Sequence, residues 1–257
     1  MSVFNEYARY YDLLYRDKDY AGETEYVHGL IQTHAPGARS ILSLGCGSGR
    51  HDRELVKRGY RGTGVDLSEE MLSAAHRGAE GSQHLAYHHG DIRTVRLDET
   101  YDVVVSLFHA MSYQNTNEDL LAAFKTARCH LKPGGIFIFD CWYGPGVLTD
   151  RPTVRVKELE DDLIKVTRIA EPVMHPNENV VDVNYHVFIQ EKQTGVVYEI
   201  RESHRMRYLF LTEVQQMLNI GGFSLMISEE WLTAVRLSFT SWSAVFVCKK
   251  SDNGGEC

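Results

Sequence analysis

The sequence predicts an α/β fold: a Rossmann-like, doubly wound sheet with helices on both faces, interrupted by an antiparallel β insertion after the fifth strand. Three observations carry this. From Ser40 to Asp140, short apolar runs alternate with helical intervals, the pattern of parallel strands joined by crossover helices. The first run leads into Gly45-Cys46-Gly47-Ser48-Gly49, a glycine-spaced turn at a helix start. After Tyr143 the alternation stops, and some 60 residues read as strands separated by turns.

Taken in order, a helical pattern from about Asp19 to His34 ends at Ala35-Pro36-Gly37. Strands are expected near Ser40–Leu44, Gly62–Val65, Leu85–His88, Tyr101–Leu107 and Ile136–Asp140, the last after a turn at Pro133-Gly134-Gly135. Ser68 can cap a helix whose first turn holds Glu69 and Glu70, and Asn117 can cap one beginning with Glu118 and Asp119. Gly144-Pro145-Gly146 breaks the chain before insertion strands near Thr153–Leu159, Leu163–Pro172, Val180–Glu191 and Val196–Tyr208. Thr212-Glu213-Val214-Gln215 then reads as a capping box, Gly221-Gly222 as its stop, and Phe223–Glu229 and Trp242–Lys249 as final strands. The organisation is therefore an N-terminal helical segment (1–34), an α/β core (35–149), an antiparallel β insertion (150–210), completion of the core sheet (211–250) and a polar disordered tail (251–257).

Composition narrows the function classes. In 257 residues, 43% hydrophobic and 24% charged content marks a globular chain that is neither fibrous nor disordered. Lys and Arg number 27 against 35 Asp and Glu, a net charge of −8 without a basic run, which argues against nucleic acid as partner. No apolar stretch reaches the roughly 20 residues a membrane span needs, and the start lacks a secretory pattern, so no membrane partner and a cytoplasmic location are expected. Five scattered cysteines form neither a disulfide framework nor a zinc site and are expected to be reduced packing residues. No His, Asp or Glu set has convincing ligand spacing, so no metal is expected. Edge strands of the insertion can pair across a homodimer, though nothing requires it.

The chemistry concentrates at the ends of the expected strands. Alternate glycines let a ligand approach the backbone of the turn, while N–H groups at the helix start face it. Asp66 ends the second strand, where a carboxylate can accept both hydroxyls of a ribose. Asp91-Ile92, after the third, offers an acceptor for an adenine amino group and an apolar neighbour for the ring. Where a dinucleotide fingerprint has its third glycine this chain has Arg50, which disfavours an NAD-dependent oxidoreductase. His109, beyond the fourth strand, faces the crevice as a candidate general base or positioning residue. Trp142 and Tyr143, after the fifth, can wall an acceptor pocket or pack into the core. Arginines of the insertion, Arg205 among them, can meet a diphosphate or stay on a solvated face.

In these motifs the chain from Ser40 to Asp140 resembles the class I S-adenosylmethionine-dependent methyltransferases. The resemblance implies a seven-stranded sheet with one antiparallel strand, S-adenosyl-L-methionine as cofactor, its methionine at the glycine turn, its ribose on Asp66 and its adenine near Met71, Asp91 and Ile92. The cofactor-binding set is then Tyr20, Gly45, Cys46, Gly47, Gly49, Asp66, Leu67, Met71, Asp91, Ile92 and Leu107. One departure stands out: the family often has an acid where this chain has Ser43, so the methionine ammonium needs another contact, such as carbonyls near Gly45. The same departure leaves open a non-catalytic, cofactor-binding regulatory module.

Tyr11-Asp12-Leu13-Leu14-Tyr15, Asp19-Tyr20-Ala21 and the insertion after Trp142-Tyr143 are similar to the sugar-nucleotide amino-sugar N-methyltransferases. That likeness implies a lid closing over the cofactor, with Tyr15 near the methyl group and Tyr20 near the cofactor carboxylate. It makes His109 and Tyr15 the catalytic candidates, and Tyr11, Phe108, Tyr113, Trp142, Tyr143 and Arg205 the candidates for holding a small-molecule acceptor. The expected reaction is methyl transfer to the amine of a nucleotide-linked amino sugar, the alternative being O-methylation of a sugar or another small hydroxylated acceptor. An amine brings its own lone pair, whereas a hydroxyl must lose a proton as it attacks.

Overall fold

The computed structural model of the chain describes residues 10 and 13–251. The chain divides into two compact units, one comprising the segment up to Asp19 with Arg151–Arg207, the other Tyr20–Asp150 with Tyr208 onward. The helix of the expected lid therefore belongs to the α/β body. The reason lies in its apolar face: Val27 and Ile31 of α1 (Tyr20–His34) are fully buried in the core.

In the α/β unit the strands are β1 (Ser40–Leu44), β2 (Arg61–Asp66), β3 (Leu85–His89), β4 (Tyr101–Ser106), β5 (Leu131–Tyr143), β10 (Phe223–Glu230) and β11 (Ser243–Lys250). Their order is β3-β2-β1-β4-β5-β11-β10. All pairs are parallel except those of β11, which runs antiparallel to both neighbours. Burial on both faces explains the near-continuous apolar runs of β1, β4 and β5. Ile41, Val103, Val105, Ile136 and Ile138 meet α1 on one face. Leu42, Val104, Phe137 and Phe139 meet Leu120, Ala123 and Phe124 of the helix Asn117–Cys129 on the other. Because β1 lies between β2 and β4, the chain leaves its carboxyl end in one direction and the β4 end in the other, opening a crevice there.

Local chemistry adjusts several expected boundaries. The helix at Asn117 is capped by Thr116, whose hydroxyl accepts the Asp119 N–H at 3.0 Å. The helix Leu211–Ile220 begins after Phe210, and Glu213 reaches back to accept the Phe210 N–H at 3.2 Å, so only half of a capping box forms. Pro133-Gly134-Gly135 lies within β5, whose register against β4 shifts between Tyr101 and Val103. Cys141 and Cys248 are buried free thiols and Cys46 a half-buried one, whereas Cys129 is disulfide-bonded, a departure from the expected reduced set. Among the described residues no helix is long and apolar enough to cross a membrane.

At the amino ends of the central strands, Asp102 ties β1, β4 and β5 together. Its carboxylate accepts the N–H groups of Arg39 and Ser40, each at 2.9 Å, and the Lys132 ammonium at 2.7 Å. Burial alone would raise this carboxyl, but these donors push it down to about 2 from 3.8. A depressed acid contributes stability above its unfolded pKa and loses it as pH falls toward the folded one. We expect about 2 kcal/mol from Asp102 near neutrality, lost between about pH 4 and pH 2. Thermal melts of Asp102→Asn should show a correspondingly flatter acid limb, and an unchanged limb would refute the assignment.

The second unit is an antiparallel meander of β6 (Arg155–Glu160), β7 (Ile164–His175), β8 (Val180–Glu191) and β9 (Val197–Leu209), β9 running past the boundary into the α/β unit. Ile164, Val166, Val187 and Ile189 on its inner face pack with Tyr10, Leu13 and Leu14. Tyr10, Leu13 and Leu14 thus belong with the insertion. Tyr208 and Leu209, the end of β9, lie parallel to Trp142 and Tyr143 at the end of β5.

Candidate active site

The turn after β1 is built from left-handed glycines: φ is +78° at Gly45, +54° at Gly47 and +66° at Gly49. The N–H groups of Gly45 and Cys46 both donate to Val65 O, anchoring the turn to β2. A Cβ on Gly45 would stand 2.7 Å from the Ala110 Cβ, and one on Gly49 2.1 Å from the Tyr87 hydroxyl, whereas nothing lies within 4 Å of one on Gly47. The outer glycines are fixed by packing, and the middle one opens onto space that a ligand can enter. Gly49 begins the helix Arg50–Lys57 without a side-chain cap, leaving its first N–H groups to other acceptors.

Asp66, at the end of β2, closes the same turn. Its Oδ2 accepts the Gly47 N–H at 2.7 Å and its Oδ1 the Ser68 N–H at 2.9 Å. Each oxygen keeps acceptor capacity for a diol. Leu67 beside it is 63% exposed and presents an apolar surface, while Ser68 caps the next helix by accepting the Met71 N–H. A cradle open above Gly47, a fixed carboxylate and an exposed apolar neighbour fit a nucleoside with an amino-acid arm.

Other expected contributors have partners within the protein. Arg93 grips both Asp91 oxygens and also reaches Asp119 at 2.7 Å, holding the Asp91 carboxyl below its ordinary value. The expected adenine acceptor is thus already engaged by a cation. Ile92 and Leu107 are buried in the two core layers, Leu107 continuing the inward alternation of Val103 and Val105. Cys46 packs against Leu72, Ala75 and Tyr87, and burial pushes its thiol well above the ordinary value, so it offers the site backbone groups.

At the exit of the turn, Tyr20 meets the edge of the His51 ring at 4.9 Å and carries the Arg50 guanidinium 5.3 Å from its own ring centre. His51 Nε2 in turn lies 2.7 Å from Glu23 Oε2. The start of α1 is therefore bound to the residues that follow the glycines. Arg50 entered the sequence reading only as an argument against a dinucleotide.

Beyond β4, Phe108 and His109 both have φ of +62°, a costly conformation for side chains of this size. The carboxylate of Asp140, 1% exposed at its side chain, sustains it: both oxygens accept the His109 N–H at 3.1 Å, and Oδ2 stands 2.7 Å from His109 Nδ1. That approach lies off the line of the ring N–H, so Nδ1 is in close contact with the acid without a hydrogen-bond partner among the described residues, and the hydrogen bonds to Asp140 come from the backbone N–H. Asp140 was missed as a site residue, because its meaning rests on the left-handed His109 it meets across space. The Phe108 ring stacks on His109 at 5.9 Å, and Trp142 stands edge-on at 6.5 Å from His109 and 4.9 Å from Trp242. Tyr113 is 46% exposed. Tyr143, expected at the acceptor wall, belongs to the core, since alternation along β5 turns it inward beside Cys141.

The remaining candidates belong to the β unit. Tyr15 packs against its apolar cluster and hydrogen-bonds Arg168, burial raising its phenol above the ordinary value. Arg168 also lies 4.6 Å from the Tyr185 ring centre. Arg205 is tied to Glu178 and Asp182, so its charge is already balanced by two carboxylates. Tyr11 lies outside the described residues.

Comparison with known proteins agrees with this geometry. Residues 41–135 match a methyltransferase domain family. The dTDP-3-amino-3,4,6-trideoxy-alpha-D-glucopyranose N,N-dimethyltransferase of Streptomyces venezuelae is 33% identical over 184 residues, 71% of this chain and 76% of the relative. The crystal structure of Streptomyces venezuelae DesVI superposes with a TM-score of 0.80 at 26% identity, covering 95% of this chain and 98% of the other. The sugar N-methyltransferase KedS8 from Streptoalloteichus sp superposes at 0.81 with 25% identity, covering 94% and 93%. With a glycine cradle closed by Asp66 in this strand order, and with these relatives, the chain belongs to the S-adenosylmethionine-dependent methyltransferase family, with S-adenosylmethionine as its cofactor.

Proposed function

We propose that this methyltransferase acts on the amine of a nucleotide-linked amino sugar. The observation that carries the acceptor class is the 33% identity, over most of the chain, to an enzyme named for dimethylating such a sugar. S-adenosylmethionine supplies an electrophilic methyl group on a sulfonium, itself a good leaving group. The chain's own task is chiefly alignment. The glycine turn and Asp66 seat the nucleoside and its amino-acid arm. Phe108 and Trp142 flank His109 and hold the acceptor beside it.

A neutral amine attacks with its lone pair, forming the N–C bond as the C–S bond breaks. The resulting alkylammonium must shed a proton before it can attack again. In this reading the His109 imidazole takes that proton, its backbone held by the Asp140 carboxylate. The same pair supports a second reading, O-methylation, since a hydroxyl needs a base during attack. Initial rates on nucleotide-linked amino sugars and their hydroxyl counterparts, with mass spectrometry counting methyl groups, separate the two. Turnover of the amino sugars alone is expected, and turnover confined to the hydroxyl compounds would overturn the proposal.

A further inference from the structure

The acid missing from position 43 has a counterpart on the next helix. Asp52, in the first turn of the helix Arg50–Lys57, is 3% exposed, and its Oδ1 accepts the Ser43 hydroxyl. Its Oδ2 is buried without a hydrogen-bond partner among the described residues. A buried, half-satisfied carboxyl is costly and is kept where something offsets the cost. Burial pushes this one up to about 6 from 3.8, the Ser43 hydroxyl working in the opposite direction.

Its surroundings define what could offset it. On its own helix stand His51, engaged by Glu23, and Arg53, whose guanidinium donates to Ser48 O at 2.9 Å. Asp66 approaches from β2, Cys46 from the turn and Tyr87 from β3. His51 and Arg53 both draw the Asp52 carboxyl down, but neither hydrogen-bonds it, while Asp66 and the ionisable thiol and phenol add no positive charge. Ser43 lies two residues before Gly45, and the Asp52 carboxyl at the tip of its side chain acts electrostatically on Cys46 of the turn and on Asp66 at its close. The amino-acid arm of the methyl donor carries an ammonium group.

We propose that Asp52, acting through Ser43 and the glycine turn, is a positioning residue for the ammonium end of the methyl donor, replacing an acid on β1. The proposal rests on the assignment of the glycine turn as the donor's seat. Calorimetric titration with S-adenosylhomocysteine, and with its analogue lacking the amino group, tests it. Wild-type protein should prefer the amino compound by about 10- to 100-fold at pH 8, and that preference should shrink as pH falls through 6. Asp52→Asn should lose the preference and its pH dependence while binding the desamino compound as before, which separates Asp52 from His51. Asp52→Leu should behave alike, and adding Ser43→Asp to it should restore the preference.

Equal loss of affinity for both compounds, or a preference in Asp52→Asn matching the wild type, overturns the proposal. A wild-type preference that does not change with pH does so without recourse to any variant. Absence of S-adenosylhomocysteine binding by the wild type would instead refute the seat itself.

Discussion

Asp66→Ala is expected to weaken S-adenosylhomocysteine binding by about 100-fold or more while leaving the fold intact. Two effects add. Hydrogen bonds from ligand hydroxyls to a charged acceptor contribute about 1.5–3 kcal/mol each, and a diol makes two of them. The carboxylate also accepts the Gly47 and Ser68 N–H groups, so its removal frees the middle of the cradle and the entry to the following helix. Asp66→Asn, which keeps one acceptor oxygen, should fall between the wild type and the alanine variant. Titration calorimetry reads the ranking directly, and an unchanged dissociation constant in Asp66→Ala would end the ribose assignment.

The second large effect is expected at His109. Replacing a positioned general base lowers turnover by about 10²- to 10⁴-fold. His109→Ala should show a loss in that range in kcat, with S-adenosylhomocysteine affinity within about threefold of the wild type, since the imidazole serves the acceptor. The pH profile should also change. An alkylammonium that loses its proton to solvent does so more readily as pH rises, so the deficit of the variant should narrow between pH 7 and pH 9, and more for the second methyl group than the first. Asp140→Asn should resemble His109→Ala in kcat while also lowering the melting temperature, because Asp140 holds the left-handed backbone of His109 in place. A His109→Ala enzyme with undiminished turnover would leave the ring a structural role only.

Much of the fold was legible because parallel strands buried on both faces write themselves as apolar runs: β1 falls on its expected residues. The antiparallel insertion was legible from turn chemistry, which needs no tertiary context. Boundaries set by one side chain were harder. Thr116 and Asn117 are both competent caps, and which of them accepts the Asp119 N–H depends on how the helix docks. Of the site, the glycine turn and Asp66 could be read because backbone conformation and strand ends constrain residue type locally. Asp140 and Asp52 could not be, since each is informative only for the partner it meets across space: the left-handed His109 for one, the hydroxyl of Ser43 for the other. Asp91 shows the converse, a residue in an expected place whose charge is already taken by a neighbour two positions on.

The glycine turn also determines what substitution there can teach. Side chains at 45 and 49 collide with Ala110 and Tyr87 before any ligand arrives, so variants at either position report on folding and on the seating of the His109 loop. Position 47 meets only backbone cost, about 1–2 kcal/mol for a left-handed residue with a Cβ, and otherwise faces open space. Of three glycines that look equivalent in the sequence, two are structural wedges and one is a gauge of how closely the donor approaches the chain.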